Sequence, residues 1–315
     1  MPSEFQLISQ YFGRQSHHDG VMLGIGDDAA LLQVPTGEVL VATTDTFISG
    51  RHFPENTHPF AIGHKALAVN LSDLAAMGAT PRWFLLALSL PSQNELFLTE
   101  FSRGLFNLAK KSHVALVGGD TTKGALSITI TALGSVPFTQ ALTRHNTRVG
   151  DGVYVSGTIG DAGLGLQVAF GKNPPLSDEF AQYVKGRLDF PQPRLQLGVA
   201  LRGLASACLD VSDGLAQDLG HILQASHLGA DIELEKLPLS AALKSLPVED
   251  AWQLALTSGD DYELCFTLSD ESFAKLPDLD VPITRIGTIS QAGGLRFSHH
   301  GLAKTMNNVS GYQHF

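Results

Sequence analysis

The chain has 315 residues, of which 43% are hydrophobic and 17% are charged, and its formal net charge is -10. This composition is typical of a globular protein long enough for two domains, and it excludes an intrinsically disordered chain. The excess of carboxylates also argues against sequence-independent binding of nucleic acid, which requires stripes of Lys and Arg.

The sequence gives no indication of secretion or of a membrane span. The first residues, MPSEFQLISQYFGRQ, lack a basic region followed by an apolar one, and no run of about 18 apolar residues occurs. Cys208 and Cys265 lie in apolar runs, which favours buried thiols over a disulfide or a zinc site. We therefore expect a cytoplasmic protein.

The first half of the chain predicts a mixture of strands and helices. Residues 39–45 read as a buried strand that ends on an aspartate, and residues 60–78 show apolar positions at helical spacing with Gly78 as the stop. The pattern then predicts a strand at 84–90, a helix at 94–112, and strands at 114–118 and 126–136.

A polar stretch at 139–152 interrupts this pattern, and we place a domain boundary just before it, after Pro137. The predicted domains are therefore 1–137 and 138–315. The second half predicts strands at 153–157, 207–211, 230–235, 262–268 and 283–289, and helices near 161–171, 178–188, 193–205 and 213–226. This mixture indicates an α/β or α+β fold.

Aspartates beside Gly, Ser or Thr recur where predicted strands and helices meet. They fall at 24–28, 43–45, 70–73, 118–122, 210–214 and 258–263. Any one of them alone is typical of a turn or a helix N-cap, and Ser212 or Asp213 is a candidate cap for the helix at 213–226. Asp73 differs because it lies within a predicted helix among apolar residues, where a carboxylate is costly to bury unless it is paired or binds a metal.

Several carboxylates that converge at one edge of a sheet repel one another unless a cation lies between them. Mg²⁺ prefers carboxylate oxygens and is often completed by substrate phosphates, while neighbouring glycines let backbone N–H groups approach phosphate. The sequence lacks the Gly-x-x-x-x-Gly-Lys-Ser/Thr loop and the His-Arg-Asp signature of protein kinases. The residues alone therefore indicate an enzyme that uses Mg²⁺ and a phosphate substrate.

These motifs resemble those of the thiamine-monophosphate kinase family, within the superfamily that includes aminoimidazole ribonucleotide synthetase. The resemblance covers nearly the whole chain and rests on residues 24–28, 43–45, 65–78, 118–122, 142–144, 150–152, 210–214, 259–264 and 311–312. It implies an N-terminal α+β domain that pairs with its twin in a homodimer and a C-terminal α/β domain. It also implies that ATP and thiamine monophosphate are converted to ADP and thiamine diphosphate.

The resemblance also implies a role for individual residues. The implied magnesium ligands are Asp28, Thr43, Thr44, Asp45, Asp73, Asp120, Asp210 and Asp213. The implied ATP contacts are Gly119, Asp120, Arg144 and Ser212, and the implied contacts for thiamine monophosphate are His52, Asp260 and Tyr312. No catalytic residue is expected beyond the metal ligands, among which Asp45 and Asp210 are the leading candidates. Many members of the family have Glu where this chain has Asp260.

Other functions in the same superfamily fit the sequence less well. A selenophosphate synthetase would require a reactive Cys or selenocysteine near the N-terminus, and a hydrogenase-maturation relative would require a C-terminal cysteine. An aminoimidazole ribonucleotide synthetase fits the fold, although His52 and Tyr312 favour thiamine. A non-catalytic acidic protein that binds divalent ions for stability is the alternative from another class, and it would produce no ADP.

Overall fold

The computed structural model describes residues 4–13, 18–172 and 176–312. The chain divides into two compact units. The first comprises Met1–Leu74 and Ala79–Thr139, and the second comprises Ala75–Gly78 and Gln140–Phe315. Within the described residues, no helix is long and apolar enough to cross a membrane.

The first unit is built on a four-stranded sheet. Its elements in chain order are α1 (Glu4–Leu7), a π-helical turn (Ile8–Phe12), β1 (Val21–Leu23), β2 (Leu31–Leu32), β3 (Glu38–Ile48), α2 (Pro59–Ala76), β4 (Thr80–Leu90), α3 (Glu95–Lys111), β5 (Ala115–Lys123) and β6 (Ser127–Pro137). The sheet order is β3-β6-β4-β5, in which only β4 and β5 run parallel.

Helices α2 and α3 pack tightly against each other because glycines lie where they cross. A Cβ at Gly63 of α2 would lie 2.1 Å from the carbonyl oxygen of Phe101, and one at Gly104 of α3 would lie 2.0 Å from that of Phe60. The predicted helix at 94–112 is confirmed, since Asn94 caps α3 by accepting the Phe97 N–H at 3.0 Å.

The second unit contains a seven-stranded sheet and most of the remaining helices. Its elements are β7 (Gly152–Ser156), α4 (Asp161–Ala169), α5 (Asp178–Asp189), α6 (Leu195–Ala200), β8 (Ala207–Asp210), α7 (Leu215–Ser226), β9 (Gly229–Glu233), a 3₁₀ turn (Leu234–Lys236), α8 (Ala241–Lys244), α9 (Val248–Thr257), β10 (Leu264–Leu268), α10 (Asp270–Phe273), β11 (Ile283–Ser290), β12 (Gly294–His299) and β13 (Leu302–Lys304). The order is β13-β12-β9-β11-β7-β10-β8, and only β9 and β12 are parallel.

The core of the second unit lies beside this sheet. Val155, Leu209 and Cys265 come from adjacent strands, and Leu219 and Trp252 come from α7 and α9. All are buried in one apolar cluster. This packing holds the carboxyl end of β8, and with it Asp210, at a fixed position in the unit.

Candidate functional site

Three predicted residues meet on one face of the first unit's sheet. Thr43 and Asp45 project from β3, and Asp73 projects from α2. The Thr43 hydroxyl donates to the Asp73 carboxylate at 2.5 Å. Burial raises the pKa of Asp45 to about 6, and the adjacent negative charge of Asp73 adds to that rise. Two carboxylates held side by side in this way form an electronegative position suited to a cation.

The structure does not bring Thr44 to that cluster. Side chains alternate along a strand, so Thr44 lies on the opposite face from Thr43 and Asp45. Its hydroxyl donates to the Ile130 carbonyl at 3.1 Å and lies 3.1 Å from the Thr131 hydroxyl of β6. A side-chain contact from Thr44 to a metal held by Asp45 and Asp73 is therefore excluded by the geometry of β3.

Asp120 also lies away from the Asp45 carboxylate. Asp120 of β5 pairs with Ala87 of β4, which pairs with Thr129 of β6. Thr129 in turn pairs with Thr46 of β3, so these four residues form one row across the sheet. Asp45 belongs to the neighbouring row, which alternates to the other face. The expectation that the first strand ends at Asp45 is wrong, because β3 continues to Ile48. The strand predicted at 114–118 also runs further, through Asp120 to Lys123.

Gly119, next to Asp120, has a clear steric requirement. Its φ is +148°, and a Cβ there would lie 1.9 Å from the Leu86 carbonyl oxygen. Any other residue would push β4 and β5 apart, so the glycine keeps the two parallel strands paired.

Two other predicted residues of the first unit lie in turns. Asp28 is exposed between β1 and β2, and its backbone N–H donates to the Asp27 carboxylate at 2.9 Å. His52 follows β3, stacks on Phe47 with ring centroids 5.6 Å apart, and accepts the Ile48 N–H on Nδ1 at 3.0 Å. The neutral imidazole of His52 therefore carries its proton on Nε2, where it is a hydrogen-bond donor.

In the second unit, a buried carboxylate that the sequence analysis missed organises the loop at 210–214. Asp218 Oδ2 accepts the backbone N–H groups of Ser212, Asp213 and Gly214 at 3.0, 3.0 and 3.1 Å. Burial raises the pKa of Asp218 to about 6, although these three donors act in the opposite direction. The prediction that Ser212 or Asp213 caps the helix is wrong, since α7 begins at Leu215 after Gly214 and without a side-chain cap.

A second segment, residues 259–263, lies along this loop. Asp260 N–H donates to the Ser212 carbonyl and Tyr262 N–H donates to the Val211 carbonyl, both at 2.9 Å. Asp260 and Tyr262 have φ values of 70° and 51°, in the left-handed region that is costly for side chains other than glycine. The Tyr262 hydroxyl donates to the Asp260 carboxylate at 3.1 Å, so the side chain of Asp260 is held as well as its backbone.

Buried ionic and hydrogen-bonding contacts also fix the segment 259–263 through Asp261 and Glu263. Glu263 is 1% exposed and accepts hydrogen bonds from Arg187 at 2.8 Å, from Arg194 Nε at 2.6 Å and from the Ser156 hydroxyl at 2.6 Å. Asp261 accepts the N–H groups of Gly160 and Ala162 at the start of α4. Burial raises the pKa of Asp261 to about 7.

The predicted ligands Asp210 and Asp213, and the predicted contacts Ser212, Asp260 and Tyr312, therefore lie on segments that hydrogen-bond to one another. The C-terminal segment joins the group because Tyr312 N–H donates to the Asp213 carbonyl at 3.0 Å. Arg144 is exposed, one residue after Thr143, whose carbonyl accepts the N–H of Cys208 in β8. Sequence reasoning missed Asp218, for which the only signal was a carboxylate within an amphipathic helix, and it singled out the segment at 258–263 without assigning a role to Asp261 or Glu263.

Within the described residues, no group of three or more His, Cys, Asp and Glu side chains is arranged to hold a metal ion. The donors present in each unit are nevertheless those that Mg²⁺ prefers. Asp45 and Asp73 provide a pair of carboxylates, and Asp210 lies 6% exposed at the end of β8. Mg²⁺ commonly takes one or two carboxylates from a protein and completes its octahedron with water and phosphate oxygens.

Two models of one protein family match the chain. AIR synthase related protein, N-terminal domain, matches residues 26–136, and AIR synthase related protein, C-terminal domain, matches residues 148–300. These two segments cover most of the 315 residues. The chain therefore belongs to the AIR synthase related family.

Within this family, the chain is similar to thiamine-monophosphate kinases. The thiamine-monophosphate kinase of Haemophilus influenzae is 45% identical, over 99% of this chain and 98% of that relative. The crystal structure of thiamine-monophosphate kinase from Stenotrophomonas maltophilia is 46% identical with a TM-score of 0.87, and the match covers 96% of this chain and 98% of that one.

A third similar protein was solved with ligands. The complex described as AaThiL with AMPPCP and TMP is 30% identical and has a TM-score of 0.78, with 99% of this chain and 96% of that chain covered. The two-domain fold implied by the resemblance is confirmed by these similarities and by the mixed sheets described above.

Proposed function

We propose that this protein transfers the γ-phosphate of ATP to thiamine monophosphate, which gives ADP and thiamine diphosphate. The observation that carries the proposal is the 45% identity, over nearly the full length of both chains, to a thiamine-monophosphate kinase. The ligands of the AaThiL complex, TMP and the ATP analogue AMPPCP, support the same pair of substrates. Because the reaction consumes ATP, we also propose a cytoplasmic location.

Thiamine monophosphate joins a cationic thiazolium ring to a phosphate, and the proposed contacts match both ends. Tyr312 offers an aromatic face to the cation, and Asp260 offers a negative charge held by Tyr262. His52 offers its Nε2–H as a donor. Arg144 offers a fork of donors to the ATP phosphates. Gly119 and Asp120 are also ATP contacts in this proposal.

We propose that the carboxylates of Asp28, Asp45, Asp73, Asp120, Asp210 and Asp213, together with Thr43 and Thr44, provide the magnesium ligands. The side chain of Thr44 faces away from Asp45, so Thr44 would contribute through its backbone carbonyl. When bound, Mg²⁺ supplies positive charge that neutralises the facing phosphates. The raised pKa of Asp45 supports this proposal, since a cation would offset the cost of burying this carboxylate and also relieve its repulsion with Asp73.

The proposed reaction needs no general base. The nucleophile is a phosphate oxygen of thiamine monophosphate, and the second pKa of a phosphomonoester is about 6, so that oxygen is already largely ionised at neutral pH. The side chains of this protein orient the two phosphates in line and hold donors against their oxygens. Among the proposed metal ligands, Asp45 and Asp210 are the leading candidates for residues that are essential for turnover.

The test is incubation of the full chain with ATP, Mg²⁺ and thiamine monophosphate, with thiamine diphosphate measured by chromatography. We expect product from the wild type and a loss of at least about 100-fold in Asp210→Asn, the scale on which electrostatic groups act in transition states. Asp231→Asn is the matched control, because Asp231 lies in an exposed pair with Arg296. ADP and product at near-normal rates from Asp210→Asn at saturating Mg²⁺ would contradict the role of Asp210, and no ADP from the wild type would indicate a non-catalytic protein.

We further propose a homodimer formed through the first unit's sheet. Leu40, Thr44 and Thr46 lie exposed on the face of β3 opposite to the face that carries Thr43 and Asp45, and Leu40 and Ile48 are 51% and 45% exposed. A second copy of this face would cover these apolar side chains.

Sedimentation equilibrium tests the dimer. We expect twice the 33.6 kDa chain mass for the wild type and the single mass for Leu40→Lys, which places a charge in the proposed interface. Leu302→Lys, at a site in β13 that is 76% exposed, is the control and leaves the mass doubled. A wild type with the mass of one chain at micromolar concentration would refute the proposal.

A further inference from the structure

The C-terminal segment lies directly against the loop that carries Asp213. Tyr312 N–H donates to the Asp213 carbonyl at 3.0 Å. A Cβ at Gly311 would lie 2.3 Å from that same carbonyl oxygen and 3.0 Å from the Cβ of Gln217. Position 311 therefore accepts only glycine in this arrangement, and the C-terminal segment is in direct backbone contact with the loop.

Gln217 connects the two parts of this contact. It follows Asp213 by four residues and lies in the first turn of α7. Its Nε2 donates to the Asp213 carboxylate at 3.3 Å and to the Tyr312 carbonyl at 3.2 Å. A primary amide nitrogen carries two hydrogens, so one side chain can satisfy both acceptors at once.

The backbone of the loop is held by a different residue. Asp218, the next residue of α7, holds the N–H groups of Ser212, Asp213 and Gly214, so the backbone of the loop is set independently of Gln217. What Gln217 adds is the orientation of the Asp213 carboxylate relative to the C-terminal segment.

We propose that Gln217 is a positioning residue that couples the Asp213 carboxylate to Tyr312. The inference rests on the proposed function, in which Asp213 is a magnesium ligand and Tyr312 contacts thiamine monophosphate. The Gln217 amide therefore fixes the Asp213 carboxylate, which binds the metal, relative to Tyr312, which contacts the organic part of the substrate.

Gln217→Leu and Gln217→Glu test the coupling in the full chain. Leu keeps the approximate volume and removes both donors, while Glu removes the donors and places a second negative charge beside Asp213. We expect the KM for thiamine monophosphate to rise about threefold to tenfold in Gln217→Leu, the range for losing hydrogen bonds to charged or backbone acceptors, and further in Gln217→Glu. The KM for ATP stays within about twofold of the wild type in Gln217→Leu.

Hydrogen exchange at residues 309–312 gives a readout that does not depend on activity. Both variants, and Gly311→Ala, are expected to exchange faster at this segment than the wild type. Gln224→Leu is the matched control, since Gln224 is an exposed glutamine of the same helix, and it leaves exchange and both KM values unchanged.

The outcomes separate the two proposals. An unchanged KM for thiamine monophosphate in Gln217→Leu, or unchanged exchange at 309–312, overturns the role of Gln217. Equal rises in both KM values also overturn it, since they indicate a general loosening of the unit. A wild type that forms no thiamine diphosphate instead refutes the proposed function and the kinetic part of this inference, and exchange then still decides whether Gln217 seats the C-terminal segment.

Discussion

Replacement of Glu263 by Gln tests whether the buried ionic network stabilises the second unit. The Glu263 carboxylate is 1% exposed and faces the guanidinium groups of Arg187 and Arg194. Glu263→Gln keeps the shape of the side chain but removes the negative charge between the two guanidinium groups and places an NH₂ donor among other donors. Arg187 keeps a more distant carboxylate, that of Asp161 at 3.8 Å.

The expected cost follows from the burial of the partners. Loss of one partner of a buried ion pair costs about 3–5 kcal/mol. The side chains of Arg187 and Arg194 are 15% and 19% exposed, so water recovers part of the loss. We therefore expect the free energy of unfolding to fall by about 2–4 kcal/mol, which lowers the urea midpoint by roughly 1–2 M for an m-value of about 2 kcal/mol/M.

The chain offers a reporter and a control for this measurement. Its two tryptophans are Trp83 in the first unit and Trp252 in the second, so a Trp83→Phe background leaves fluorescence from the second unit alone. Glu271→Gln is the control, because both side chains of the Glu271–Lys275 pair are exposed, and such pairs contribute about 0–1 kcal/mol. Equal midpoint shifts in Glu263→Gln and Glu271→Gln would refute the reasoning.

Three further predictions concern other parts of the chain. Burial raises the pKa of Asp261 from 3.8 to about 7, so the stability that Asp261 contributes is fully present below pH 4 and is lost as pH rises through 7. The free energy of unfolding, measured by urea titration, should fall from pH 5 to pH 8 by on the order of 2 kcal/mol more in the wild type than in Asp261→Asn, and parallel pH profiles would contradict this. Gly119→Ala should destabilise the first unit by at least about 3 kcal/mol through its clash with Leu86, whereas Gly37→Ala, with a φ of +82° and open space around its Cβ, should cost about 1 kcal/mol by thermal melting. Asn94→Ala should cost about 1 kcal/mol in the same assay through loss of the α3 cap, and Asn94→Asp should restore it.

The elements with a strong apolar period could be predicted from the sequence. Asp73 was expected within a helix, and it lies in α2 (Pro59–Ala76). The strands at 39–45 and 126–136 appear as β3 and β6 with bounds that differ by up to three residues. The prediction of β6 succeeds because burial of one face imposes the alternation directly. The expectation that residues 39–45 are buried is wrong, since each of them is exposed or half-buried in β3.

Other elements carried too weak a signal. Helices α8 and α10 have four residues each, which is about one turn and too short for a helical period to emerge. Strand β13 is the edge strand of the second sheet and β12 lies next to it, and neither contains a buried side chain, so no clear alternation marks them.

The candidate site was predicted in its composition but not in its geometry. The alternation of β3 already separates Thr44 from Thr43 and Asp45, and this consequence of a strand follows from the sequence once the strand is assigned. By contrast, the contact of Asp261 with Gly160 joins residues about 100 positions apart. No local pattern encodes such a contact, because it depends on how β7, α4 and β10 pack.

The three N–H groups at the start of α7 converge on one point, which is the arrangement that many nucleotide-binding proteins use to cradle a phosphate. In this chain the point is already filled by the protein's own carboxylate, that of Asp218. In the proposed function, a polyphosphate at this helix would therefore be bound by side chains and cations and not by these main-chain N–H groups. Affinity for the nucleotide should accordingly follow the concentration of divalent ions closely.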